Sequence, residues 1–258
     1  MISMVKIAYI GFSCSFLNYL LNAGEYMLQA VVADKKLADE KFVALCHSHA
    51  IPLLLAESDK EISDTVLYGV EYVLIYKTKM IIHSDLLKIY RFFNLHSGIL
   101  DTNKGANPIV WTILSGEDKT ALSLHEINEK IDSGMLVAEY LVDVQPEDTT
   151  VTINAKMENG FSFLLGQLQC YLHGEAEGKP VSAGGYRRRV REDDYTISKS
   201  DNAEIVSRKI RSQAAYGGLK YCFEGKVVRL FSKETEVGGQ AVELDIAGYH
   251  CIGVPEFI

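Results

Sequence analysis

Hydrophobic residues in the first half of the chain fall into short, compact runs separated by stretches of helical periodicity. Val5 to Ile10 is such a run and ends at Gly11; Ser13 then precedes a helical pattern from Phe16 to Ala23. A β-branched run from Met27 to Ala33 ends at Asp34, and the alanine- and leucine-rich segment Lys36 to His49 predicts a helix. Ile51 to Leu55 and Glu71 to Tyr76 predict strands, Ser84 to Ile89 a helix, and Phe92 to Leu95 another strand. Short apolar runs bounded by turn residues suit strands buried on both faces. Alternating with helices, they predict an α/β fold with a doubly wound, mostly parallel sheet. Such sheets take ligands beyond the carboxyl ends of their strands, where the strand order reverses.

Further along, Asn107 to Ser115 predicts a helix with Pro108 in its first turn, and Thr120 to Glu126 and Met135 to Val144 predict strands. Between Thr150 and His173, Ile153, Met157, Phe161, Leu164, Leu165 and Leu168 share one face, which predicts a single long amphipathic helix. Gly174 to Gly185 is a loop rich in Gly, Ala and Ser. Past Tyr195 the texture changes. Ser200 or Asp201 is placed to cap a helix reaching about Ala215. The runs Leu219 to Phe223, Lys226 to Phe231, Ala241 to Ile246 and Tyr249 to Val254 then predict strands, with Glu224-Gly225 as a hairpin turn. The expected organisation is one α/β domain over residues 1–195 and a small helix-plus-β-hairpin extension over residues 196–258.

Composition narrows the function classes. With 258 residues, 48% of them hydrophobic, the chain can bury a sizeable core. Its apolar stretches, such as Ile51 to Ala56, fall far below the roughly 20 residues of a bilayer span, so no membrane partner is expected. A net charge of −8 argues against nucleic acid as a partner. The five cysteines form no C-x-x-C pair, which suggests neither a zinc ribbon nor a disulfide framework. Cys46-His47-Ser48-His49 would splay around a helix with no second ligand cluster, so no metal is expected. The first residues run straight into strand-like alternation without a signal-peptide cleavage site, and a cytoplasmic setting is the expectation.

Chemistry concentrates between Phe93 and Asp148. Asn94 and His96 are two apart at the end of an apolar strand and so project from one face. Asp132 lies in the turn Ile131-Asp132-Ser133-Gly134 between a helix-like segment and a strand. An amide donor, an imidazole and a carboxylate converging at strand ends can run acyl transfer to an amine. The same three residues also suit satisfied core and turn positions, and spacing alone leaves both readings open.

The order and setting of these residues resemble the N10-formyltetrahydrofolate-dependent formyltransferase family. That family carries N-x-H-P-S-L-L-P-x-Y-R-G-A-x-P, then W-A-I-x-x-G-E, T-G-V-T-x-H and D-T-G. Asn94, His96, Leu100, Gly105, Ala106 and Pro108 match without a gap, as do Trp111, Ile113, Gly116, Glu117, Thr120, His125, Asp132 and Gly134. The likeness covers roughly residues 4–175, and more faintly the tail from Ile210. It departs where the family's Pro-Ser becomes Ser97-Gly98, its second Pro Asp101, its Tyr Asn103 and its Arg Lys104.

The resemblance implies a Rossmann-like doubly wound sheet and direct attack of an amine on the formyl carbon through a tetrahedral intermediate. It implies that Asn94 orients the formyl group, His96 acts as base or oxyanion partner, and Asp132 relays protons. Tyr76, Lys77, Thr78 and Met80, with the backbone of Ile131 and Asp132, would meet the pterin of N10-formyltetrahydrofolate. Ser13, Lys104 and Asn107 are candidate substrate contacts, although helix capping is the plainer role for Ser13. His125, on an alternating strand, reads as structural. The Arg187-Arg188-Arg189 run is balanced by Glu192, Asp193 and Asp194 and reads as a solvated stretch. The short tail and acidic charge place the chain nearest the nucleotide-sugar N-formyltransferases, with a nucleotide-linked amino sugar as acceptor and a homodimer as the expected assembly. Another small amine as acceptor, or a catalytically silent homologue that binds folate or nucleotide, is the alternative.

Overall fold

The computed structural model describes residues 4–237 and 241–256. The chain opens with β1 (Val5–Gly11), α1 (Cys14–Asn22), β2 (Tyr26–Asp34), α2 (Glu40–Ser48) and β3 (Leu53–Ala56). The short helix α3 (Asp64–Leu67), β4 (Tyr72–Tyr76), the short helix α4 (Ser84–Leu87) and β5 (Arg91–His96) follow. Next come β6 (Lys104–Gly105), α5 (Pro108–Ser115), β7 (Lys119–Ile127), β8 (Gly134–Asp143), α6 (Thr150–Glu158), α7 (Phe161–Leu172) and β9 (Lys179–Pro180). The last part holds β10 (Tyr186–Arg187), α8 (Glu192–Tyr195), α9 (Ala203–Ser212), β11 (Leu219–Phe223), β12 (Lys226–Ser232), β13 (Val242–Ile246) and β14 (Tyr249–Pro255).

The main sheet has the order β3-β2-β1-β4-β5-β7-β8-β9. Its first five strands pair in parallel, and β7 is antiparallel to β5. This is the doubly wound, mostly parallel sheet expected from the alternating elements. Strand order reverses between β1 and β4, so the crevice at their carboxyl ends is the switch point of the sheet. Among the described residues no helix is long and apolar enough to cross a membrane.

Contacts divide the chain into two interleaved compact units. The first comprises Met1–His96, Leu122–Tyr140 and Glu158–Ala183; the second comprises Ser97–Ala121, Leu141–Met157 and Gly184–Ile258. The sequence instead suggested one boundary, near residue 195.

In the first unit β1 is buried on both faces, as a central parallel strand must be. Ala8 and Ile10 pack with Val32, Val73, Ile75 and Phe92 on one side. On the other, the rings of Tyr9, Phe16, Tyr76 and Phe161 meet edge to face with centroids 4.9–5.5 Å apart. The buried Tyr9 hydroxyl donates to the Tyr76 carbonyl at 3.1 Å and accepts from Ser13 N at 2.9 Å. One phenol thus ties the ends of β1 and β4 to the start of α1. Burial pushes its pKa well above the usual value, which keeps the donated proton in place.

In the second unit Val206 and Ile210 of α9 pack on Leu219, Leu230, Leu244 and Cys251 of an antiparallel sheet ordered β11-β12-β14-β13. Glu224 and Gly225 both take positive φ (49° and 75°), the geometry of a two-residue hairpin whose twist matches its strands. Ala247 and Gly248 do the same between β13 and β14.

Three local expectations are corrected. The predicted helix Thr150–His173 is two helices, α6 and α7, separated at Asn159 and Gly160; Gly160 lies so close to Tyr140 that an added Cβ would stand 2.5 Å from that ring. Its apolar face is nonetheless buried throughout. Asn202 caps α9 by accepting from Ile205 N at 2.9 Å, whereas Asp201 accepts from Ser198 N and Lys209 Nζ. Helix α2 starts only at Glu40, capped by Asp39.

The two glycines of this region should respond to alanine in opposite directions. Gly160→Ala should lower the unfolding free energy by about 1–3 kcal/mol through overpacking against Tyr140. Gly166→Ala, inside α7 with nothing within 4 Å of the added carbon, should raise it by about 0.5–1 kcal/mol. Urea unfolding of the two variants beside the parent checks both signs.

Candidate active site

The site grows out of one strand pair. In the antiparallel register of β5 and β7, Asn94 lies opposite His125 and His96 opposite Ser123. Opposed residues share a face of the sheet, and so do residues two apart. Asn94, His96, Ser123 and His125 therefore form one polar patch in an otherwise apolar sheet.

Within the patch Asn94 Nδ2 stands 3.1 Å from His125 Nε2. His125 is completely buried. Burial first, and the neighbouring His96 second, push its pKa down to about 4, against the opposing pull of Asp132 and the Glu126 backbone. Its ring is neutral at physiological pH. With the Asn94 amide donating, the ring proton sits on Nδ1. The histidine read as structural from sequence thus orients Asn94.

Asp132 reaches this patch from the turn after β7. Asn128 Oδ1 stitches that turn by accepting from Lys130 N at 2.9 Å and Ser133 Oγ at 2.8 Å. Asp132 itself takes the left-handed φ of 49°, a region that aspartate tolerates better than most residues. Gly134 follows at φ 127°, where a Cβ would lie 2.2 Å from the Glu126 carbonyl, so only glycine lets the chain turn back so tightly. The result places Asp132 Oδ1 3.6 Å from His96 Nδ1 and 3.9 Å from His125 Nε2. A single carboxylate faces two imidazoles. This set can accept a proton at His96, balance the charge with Asp132 and present an amide donor from Asn94.

The remaining candidates of the first unit gather at the ends of β1 and β4. Ser13 caps α1, accepting from Phe16 N, and its hydroxyl stands 2.9 Å from that of Ser15. Ser15 donates to Glu158 at 2.7 Å, and Lys77 Nζ lies 3.6 Å from the same carboxylate oxygen. Burial lowers the Lys77 pKa, and Glu158 opposes that shift. Tyr76 ends β4, Lys77 takes φ 54°, and Thr78 Oγ1 accepts from Met80 N at 3.1 Å. Ile131 is 62% exposed. Glu158 escaped sequence reading because its partner Ser15 is 143 residues away and no local signal joins them.

Lys104 and Asn107 belong to the second unit, where both make internal bonds. Lys104 is 5% exposed; its ammonium donates to the Gly184 carbonyl at 2.8 Å, and its backbone N to Gly185 O at 2.9 Å. Asn107 Oδ1 accepts from Val190 N at 3.4 Å. Asn103, where the resemblance expects tyrosine, donates to Pro108 O and Thr112 Oγ1 at 2.9 and 3.1 Å. Two of the departures of this loop, Asn103 and Lys104, are buried polar side chains that secure it internally, while Asp101 is exposed. Two members of the arginine run are paired: Arg188 makes two bonds to Asp194 at 2.8 and 2.6 Å, and Arg187 pairs with Glu117 at 3.1 Å. Both guanidinium groups lie over the Trp111 ring, 5.9 and 5.3 Å from its centroid.

Comparison with known proteins bears on the family and the fold. The sequence profile of the formyl transferase family matches residues 29–161, just over half of the chain. A methionyl-tRNA formyltransferase of Pelotomaculum thermopropionicum is 27% identical over 189 residues, covering 70% of this chain and 58% of the relative. Among solved structures, HypX of Aquifex aeolicus in complex with tetrahydrofolic acid superposes with a TM-score of 0.73 at 18% identity, over 97% of this chain and 44% of that one. WlaRD, a sugar 3N-formyl transferase solved with dTDP and 5-N-formyl-THF, superposes at 0.66 and 16% identity over 98% of both chains. The chain spans between 26% and 66% of the length of the first curated relatives it matches.

The buried, neutral His125 makes an acid-labile fold. Its folded pKa of about 4 lies below the ordinary 6.5, so protonation favours the unfolded chain. The stability it protects is complete above about pH 6.5 and is lost as pH falls toward 4, roughly 2 kcal/mol of it between pH 7 and 5. Urea unfolding at those two pH values should show that loss in the parent. In His125→Gln, which keeps an acceptor for Asn94 but cannot titrate, most of the loss should vanish.

Proposed function

The chain belongs to the formyl transferase family, and from that membership we propose that it is an N-formyltransferase acting on the amine of a nucleotide-linked amino sugar. The observation that carries this reading is the Asn94, His96, His125 and Asp132 set, brought together by one strand pair and one turn. Bound N10-formyltetrahydrofolate supplies an activated formyl carbon. The residues present suit a folate. Lys77 to His83 run outside helix and strand beyond the switch point of the sheet, and exposed Ile131 offers an apolar wall beside Asp132.

The catalytic roles follow from the bonds already made. His96, with Asp132 3.6 Å from its Nδ1, takes the proton that the attacking amine loses. Asn94 commits one amide hydrogen to His125 and keeps the other to donate to the formyl oxygen as it gains charge. Asp132 stabilises the imidazolium until the proton passes to the departing nitrogen. A carbon–nitrogen bond forms to the acceptor, another breaks at the donor, and one proton moves from the first nitrogen to the second.

Acceptor choice rests on charge and on two neighbours. A net charge of −8 disfavours a polyanionic tRNA and is compatible with a small nucleotide. WlaRD, a sugar 3N-formyl transferase solved with dTDP, supports the same class. The methionyl-tRNA formyltransferase relative makes the tRNA the second reading.

Incubation with N10-formyltetrahydrofolate and a panel of nucleotide-linked amino sugars, a purine-precursor amine and methionyl-tRNA decides between them. Tetrahydrofolate should be released with at least one amino-sugar nucleotide, and His96→Ala should lower kcat about 10²- to 10⁴-fold. Turnover with methionyl-tRNA alone would overturn the acceptor assignment. Absence of turnover with every amine, or full activity in His96→Ala, would overturn the mechanism.

A further inference from the structure

The polar patch on β5 and β7 has one more member than the reaction above uses. Ser123 is completely buried and lies directly across the strand pair from His96, on the same face. Its hydroxyl donates to Glu139 Oε1 of β8 at 2.9 Å. A serine hydroxyl has a single hydrogen, so that bond fixes its direction and leaves only lone pairs for other neighbours. Of the donors on this face, the His96 imidazole lies directly opposite those lone pairs, whereas Asn94 lies opposite His125. Seen from His96, Asp132 supplies a carboxylate at Nδ1, and Glu139 supplies another beyond Ser123 across the strand pair.

We propose that Glu139 is a positioning residue for His96, acting through the oriented hydroxyl of Ser123. The ionisable groups facing His96 are then Asp132 from the 128–133 turn, His125 from β7 and, behind Ser123, Glu139 from β8. His125 is neutral, so the two carboxylates set the charge balance. Asp132 sits in an exposed turn and is held by local geometry. Glu139 lies within a strand of the sheet and supplies a support that does not move with that turn. Both carboxylates favour the imidazolium that His96 becomes when it takes a proton. The proposal rests on the formyl-transfer reading only for the use made of that proton.

The test needs neither folate nor acceptor, so its failure and the failure of formyl transfer are distinguishable. The imidazole signals of the whole protein are followed by NMR against pH, with the His96 signal identified by its loss in His96→Ala. Glu139→Gln removes the charge and keeps the shape, and it should lower the His96 titration midpoint by about half a unit or more. Ser123→Ala should lower it similarly, and the double variant should go no further than the larger single change, because the two residues act as one path. Ser123→Thr, which keeps a hydroxyl, should restore the parent midpoint. A midpoint unchanged in Glu139→Gln would overturn the proposal, as would additive shifts in the double variant. If Ser123→Ala fails to fold, Glu139→Gln and Ser123→Thr still decide it.

Discussion

Everything at this site depends on the register between β5 and β7. That pairing sets Asn94 against His125 and His96 against Ser123, and it puts four polar side chains on one face of a sheet built from apolar strands. A one-residue slip of β7 against β5 would turn Ser123 and His125 away from the face that carries Asn94 and His96. The register is held from both sides. Phe93 and Leu95 are buried on the reverse face of β5, and at the solvent end Arg91 pairs with Glu126 through two bonds of 2.7 and 2.8 Å. The placement of these four side chains therefore rests on hydrophobic packing behind them and on an ion pair at the edge.

The turn that delivers Asp132 illustrates how much constraint one carboxylate requires. Asn128 orders the loop, Asp132 accepts a left-handed backbone, and Gly134 passes within reach of a carbonyl that a side chain would strike. Each departs from regular structure, and together they bring a carboxylate within 4 Å of two imidazoles. Tyr9 plays a comparable part at the switch point, where a buried phenol substitutes for a loop-to-strand contact and fixes where α1 begins.

Much of this was legible in the chain. The runs at Val5, Met27, Glu71 and Phe92 are apolar enough to mark central strands, and they pair in parallel around β1. Asn94, His96 and Asp132 were readable because motif spacing survives in them. The break at Gly160 was not, because the apolar period runs through it unbroken. The position of His125 depended on cross-strand register, which a single strand does not encode. Lys104, a candidate substrate contact by resemblance, and Asn103 are both buried, bonded to the carbonyls of Gly184 and Pro108, partners that residue type does not reveal.

The interleaving of the two units bears on how the polypeptide is made. Ser15 waits for Glu158, and Phe16 and Tyr76 wait for the ring of Phe161. At about 5–20 residues per second on a ribosome, roughly 4 to 30 seconds separate the synthesis of these partners. During that interval the first five strands are in existence while the helix that covers one side of them is not. Their central members are hydrophobic on both faces. The nascent chain thus carries an uncovered apolar surface for longer than a protein whose compact units follow one another in sequence, and its dependence on chaperones during synthesis should be set by that delay.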